Sequence, residues 1–347
     1  MDADLPKAAI GRGAFRRREL AVARMHALRS IFLDRFADCD WEPPRRVSDA
    51  KAVDASTRFV GSHTSVLKAR FYQDCGVPEH GIHIVQTCFQ AHNLAAYADD
   101  SRDIVNGSVF ECHGMLHRHG QIGALLRSID SYLREDVGLG DALCYHVRSE
   151  DADLTEACRG ALPAGALQMD RLPLERMRHR FGDERLAGRD IRIGVAHRGA
   201  YLDCGTIVTV AVDGRDRCIE TSLSPGKIVQ HQLDLDHYLD VFPIEGVELG
   251  DARSSRKAED CLAGLILLAR EGLAPGGSEN RRKIMRGQVR HAQNALRAMP
   301  PSRLRNLLAK YEFLQYHEIR SADDVTAYVA GAVQPLELGE GGNHYGD

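Results

Sequence analysis

Between Asn280 and Tyr311 the chain carries nine lysines and arginines and no aspartate or glutamate. Cations in that density neutralise a phosphate backbone and release its condensed counterions. Arg281, Arg282, Arg286 and Arg290 are the candidate nucleic-acid contacts; a solvated basic face is the plainer reading. A second group of chemically able residues begins at Glu111, which sits between apolar neighbours on an expected strand. A carboxylate there is costly unless paired, so it is either a functional acid or half of a buried ion pair. Cys112, His113, His117 and His119 follow. His113 and His117 are four apart, a spacing that shares a face on a helix but not on a strand, and no metal site is assigned. Asp203-Cys204-Gly205 reads as a turn. Gly226-Lys227 could meet a phosphate but lacks the flanking P-loop spacing, and no Gly-x-Ser-x-Gly nucleophile elbow occurs.

The whole chain of 347 residues has a formal net charge of −4, so a polyanion site must be a patch rather than the entire surface. Its length suits about two domains. The nine cysteines are odd in number and contain no Cys-x-x-Cys pair, which reads as reduced thiols and a cytoplasmic protein. Asp2 and Asp4 interrupt any leader-like start, and the longest apolar run, Leu262 to Ala269, is too short to span a bilayer, so no membrane partner is expected.

Periodicity and punctuation place these groups on elements. Residues 1–15 read as a flexible arm and 16–37 as a helix ended by Pro43-Pro44. Residues 57–60, 82–90, 108–112, 142–147, 206–212 and 217–222 read as strands, the last two joined by the hairpin signal Asp213-Gly214. A polar loop covers 91–107. Helices are expected at 120–135, 153–159 and 256–272, the last stopped by Gly272 and Pro275-Gly276-Gly277. Met285, Val289, Ala292 and Leu296 make the apolar stripe of the basic helix, which Ser278 can cap. A final helix is expected at 322–333, opening with Ser321, Asp323 and Asp324, before a disordered tail at 338–347. The sum is an α+β fold, an antiparallel sheet flanked by helices with a helical C-terminal extension.

The order of pieces resembles the catalytic core of alanyl-tRNA synthetases, a class II family. In Arg256 to Leu296, Gly272, Pro275, Glu279, Asn280, Arg281, Arg290 and His291 stand where that family has an apolar helix, a Gly-x-x-Pro-x-x-Glu-Asn-Arg turn and an Arg-rich helix, with one extra residue after Pro275. Phe59 to Lys68 resembles its Phe-Thr-Asn-Ala-Gly-Met-Asn-Gln-Phe-Lys segment. Thr87 to Ala91, His92-Asn93 and Val109-Phe110-Glu111-Cys112 resemble its motif 2. The departures are specific. Thr87 and Gln90 stand where motif 2 has arginines, and neither replaces the fixed, bidentate charge. Motif 3 has only a loose counterpart in Glu245 to Arg253. The stretch covered leaves out an editing domain.

The resemblance implies a class II synthetase-like catalytic domain at 16–252, with a six- or seven-stranded antiparallel sheet, and a helical, basic, tRNA-binding-like domain at 253–337. It implies ATP and Mg²⁺ as cofactors, held by Thr87, Gln90, His92, Asn93, Phe110, Glu111 and Gly250. Glu111, Arg102 and Arg253 would be the catalytic groups, and Glu220, Ser222 and Glu245 would hold a small amino acid. The function implied is activation of that amino acid and its transfer to tRNA or another polyanionic acceptor. The alternative is a degenerate paralogue that binds tRNA or aminoacyl-tRNA without adenylation, as a regulator or a tRNA-dependent transferase.

Overall fold

The computed structural model describes residues 7–73, 76–97, 99, 101–169, 178, 179, 181–241, 251–273, 280–297, 299, 300, 302 and 328–332, with side chains from Glu19 onward. In chain order its elements are α1 (Lys7–Arg35), β1 (Asp40–Trp41), α2 (Ala50–Val53), α3 (His63–Phe71), β2 (Ile82–Phe89), α4 (Leu94–Tyr97), β3 (Val109–Arg118), α5 (Ile122–Ser131), β4 (Leu143–Val147), α6 (Ala152–Ala161), β5 (Leu167–Met169), β6 (Arg178–His179), β7 (Leu186–His197), β8 (Ala200–Val212), β9 (Arg215–Leu223), α7 (Pro225–Gln232), α8 (Ala252–Arg270) and α9 (Asn280–Leu296). The chain divides into two compact units, residues 1–90 with 109–243 and residues 91–108 with 244–347.

The first unit is built on one sheet, ordered β1-β2-β3-β9-β8-β7-β4-β5 with β6 on β7. The short outer pairs β1–β2 and β4–β5 are parallel, and every pair between them is antiparallel. The expected α+β class with a mostly antiparallel sheet therefore holds, with nine strands among the described residues where the resemblance implied six or seven. The β8–β9 hairpin turns at Asp213-Gly214 with both residues at positive φ (50° and 76°), the conformation of a type I′ turn that matches strand twist.

Each face of the sheet has its own cover. Ile82, Ile84, Leu116, Val208, Val210 and Cys218 pack with Val66, Leu67 and Phe71 of α3 on one side. On the other, Phe32 of α1 meets the rings of His83, His113 and Tyr132, the His113 contact at 4.7 Å between centroids.

In the second unit α8 starts at Asp251, whose side chain accepts from the Ser254 amide. It stops at Gly272, where a φ of 82° lets the Gly272 and Leu273 amides bond back to Ala269 and Leu268. Asp260 anchors the 91–108 excursion to α8: it accepts from Asn93 Nδ2 (2.7 Å), Tyr97 OH (2.7 Å), Ser108 N (2.6 Å) and Ser108 Oγ (2.8 Å). On α9 Met285, Ala292 and Leu296 are buried as the stripe requires, and Val289 is half-buried.

Several local expectations are corrected. α1 begins at Lys7 rather than after a 15-residue arm. Residues 57–60 form no strand; that segment runs beside β2 and takes single bonds, Val60 N to Val47 O and Phe89 N to Val60 O. The 91–107 loop contains a 3₁₀ turn and α4. α2, α3, α7, β1 and β5 to β7 had no counterpart in the sequence reading. Of the final expected helix, 328–332 is helical, while its start and the tail lie outside the described residues, as does Ser278.

Candidate active site

Strand register brings the polar residues of the sheet together. Gly114 pairs with Ser222 and Leu116 with Glu220 across β3–β9. Since side chains alternate, Cys112, Gly114, Ser222 and Glu220 share the α3 face. Val208 of β8 pairs with Glu220 on one side and Asp190 of β7 on the other, so Asp190 continues the same row.

The first turn of α3 closes over this row. His63 Nδ1 lies 3.1 Å from Cys112 Sγ, and its Nε2 lies 2.6 Å from Glu220 Oε1. Thr64 Oγ1 donates to the same Glu220 oxygen at 2.6 Å, and Ser222 Oγ lies 3.1 Å from Cys112 Sγ. His63 and Glu220 are both 0% exposed, and Ser222 is half-buried. Burial opposes charge on the imidazole, yet the Cys112 sulfur and the Glu220 carboxylate outweigh it and push His63 up to about 10. Burial acts to raise Glu220 as well, and the charge of His63 reverses that and holds it low. Both shifts describe one buried imidazolium–carboxylate pair. Further along, Asp190 is paired to Arg192 Nη2 at 2.7 Å; burial still pushes its carboxyl up to about 6.

Glu111 lies on the opposite face of β3, with Thr87 as its register partner on β2. Its carboxylate is ion-paired with Arg29 of α1 and accepts from His113 Nε2 at 2.8 Å. Burial, aided by the Arg29 charge, pushes His113 down to about 3, so it donates as a neutral ring. His117 is likewise lowered to about 4 by burial. Four residues along a strand separate His113 and His117 by about 13 Å, too far to share an ion. Among the described residues no group of three or more His, Cys, Asp or Glu could hold a metal.

The structure joins Glu220 and Ser222 in one site, with Thr87 and Glu111 on the opposite face of the sheet. Phe110 is half-buried at the start of β3, and the exposed Gln90 donates to Gly61 O at 2.7 Å. Asn93 belongs to the Asp260 network, and His92 is exposed on the adjoining 3₁₀ turn. Arg102 pairs with Asp99 at 3.0 Å on the surface of the second unit. Arg253 is exposed in the first turn of α8. On α9, Arg282 and Arg290 are exposed and Arg281 and Arg286 half-buried. Gly250 and Glu245 lie outside the described residues. Sequence reasoning missed His63, Thr64 and Asp190. The family-like segment containing His63 and Thr64 was visible, but their contacts with Cys112 and Glu220 are set by register.

No protein-family model matches the chain, and no curated protein does. Among solved structures the chain is similar to apo histidyl-tRNA synthetase from S. aureus, with 10% identity and a TM-score of 0.38 over 60% of this chain and 64% of that one. The chain therefore spans less than two thirds of the length of that enzyme. Among the described residues no helix is long and apolar enough to cross a membrane.

Proposed function

We propose that this is a synthetase-like protein that handles a small amino acid, as its aminoacyl ester, together with tRNA or another polyanionic acceptor. The candidate site lies in the buried row His63, Cys112, Ser222 and Glu220, and the cationic surface of α9 would hold the acceptor. Between activation with ATP and Mg²⁺ and handling of aminoacyl-tRNA without adenylation, one observation favours the second. Glu111, the acid expected to serve ATP or its metal, is engaged by Arg29 and His113.

The neighbouring positions agree. Thr87 carries no charge, and Gln90 is spent on a backbone carbonyl. These residues do not fit a nucleotide–metal site, so the reading keeps no ATP-dependent step. The acceptor part of the reading rests on charge: a helix with a buried apolar stripe and exposed Arg282, Lys283 and Arg290, followed by the exposed Arg297, suits phosphate contacts.

Amino-acid-dependent pyrophosphate exchange across a panel of amino acids tests the choice. No exchange, with salt-sensitive tRNA binding retained, is the expected result. Exchange with any amino acid would restore the activating ligase, and loss of both signals would remove the synthetase reading altogether.

A further inference from the structure

We propose that Cys112 is an acyl-accepting nucleophile, with His63 as its proton partner and Glu220 orienting the imidazole, and that its substrate is an activated aminoacyl group, an ester or thioester. The inference builds on the proposed aminoacyl handling and gives that site a covalent step.

The geometry is that of a thiol–imidazole–carboxylate relay. Sγ, Nδ1, Nε2 and Oε1 follow one another with contacts of 3.1 Å and 2.6 Å. A cysteine next to an imidazolium is the arrangement in which sulfur acts as a nucleophile, and a third group that fixes the base completes it. The plainer explanation is a polar clamp that docks α3 on the sheet. Thr64 and Glu220 already make such a clamp from the same helix turn, without a sulfur.

The thiol is buried, at 4% exposure, but it lies at an end of the β3–β9 ladder. Cys112 pairs with Gln86 of β2 on one side; on the other, β9 pairs with β3 only from Arg118 to His113, so Cys112 lies one residue beyond that ladder. Beside it Ser222, whose Oγ lies 3.1 Å from the sulfur, is half-buried. Burial pushes the thiols of Cys158 and Cys218 up to about 12, which makes them poor competitors for an electrophile.

In the step, the Cys112 thiolate attacks the acyl carbonyl carbon. A new carbon–sulfur bond forms, and the carbon–oxygen bond of an ester or the carbon–sulfur bond of a thioester breaks. The departing alkoxide or thiolate takes the proton from His63, leaving a Cys112 thioester and a neutral imidazole. An acceptor amine or alcohol then attacks the thioester, gives its proton to His63 and restores the thiolate. No oxidant, reductant or nucleotide enters the balance.

The test uses the full chain with the N-acetylcysteamine thioester of alanine, followed by intact mass and peptide mapping. The expected result is one alanyl adduct on Cys112, labile to hydroxylamine and lost in Cys112→Ser. Alkylation of Cys112 by iodoacetamide should be faster in the native chain than in urea. The near-isosteric Glu220→Gln, checked for folding by circular dichroism, should remove that advantage. An unmodified Cys112, or alkylation no faster in the native chain than in urea, would overturn the proposal. An adduct without tRNA binding would leave the thiol proposal standing and remove tRNA as the acceptor. tRNA binding without an adduct would do the reverse.

Discussion

The imidazole of His63 occupies the space that a side chain at residue 114 would need: a Cβ on Gly114 would lie 2.0 Å from His63 Cδ2. Glycine is required there because helix α3 approaches the β3 backbone through a ring, not through a flexible side chain. Gly114→Ala should push His63 away from both Cys112 and Glu220 and cost about 1–3 kcal/mol, as overpacking of a tight core does. Urea denaturation reads the loss. A midpoint unchanged from the parent would show that α3 can shift at no cost.

The Asp260 carboxylate has four donors aimed at it from the 91–108 excursion. Asp260→Asn replaces an acceptor oxygen with an NH₂ group that faces donors. The cost should be about 1–3 kcal/mol, the penalty for stranding buried polar partners. Amides in 91–108 should exchange faster in the variant. If their exchange stays at the parent rate, Asp260 is not what holds the excursion.

Two buried histidines give stability opposite pH slopes. His63 is raised to about 10 in the fold, so its contribution is fully present below its unfolded value near 6.5. That contribution is lost as pH climbs through the folded value, so stability should fall across the alkaline range. His113 is lowered to about 3, so its contribution is present above that unfolded value and is lost as pH falls towards the folded one. Denaturant midpoints measured against pH should show both limbs. The alkaline limb should flatten in His63→Gln and the acid limb in His113→Gln. A variant that keeps its limb would reassign that limb to other groups.

For the basic helix, the triple change Arg282→Glu, Arg286→Glu and Arg290→Glu should weaken tRNA binding and lower the slope of log affinity against log salt by roughly three. The buried Met285, Ala292 and Leu296 stripe is untouched, so helicity should persist. Equal affinity and equal slope in parent and variant would make α9 a solvated surface.

Local signals were legible without coordinates. The Asp213-Gly214 hairpin, the Gly272 stop and the stripe on α9 depend on backbone conformation and on spacing within one element, and each stands where the residues put it. β7 escaped because Arg189, Asp190 and Arg192 break an apolar alternation. They are tolerated through cross-strand pairing and ion pairs, including Asp190–Arg192 and Arg189–Asp153. Glu111 was legible as a carboxylate that needed a partner, but not as one answered by Arg29 and His113.

The relay of His63, Cys112 and Glu220 was beyond any reading of spacing. His63 and Cys112 are 49 residues apart, and Thr64 reaches Glu220 across 156. Sequence alone set the Asp213-Gly214 hairpin, the Gly272 stop and the apolar stripe of α9, because those preferences act over a few residues. Which buried polar groups meet was decided by the register of β3 on β9 and the seat of α3 above it, since only packing of distant strands repays burying a charge beside its partner.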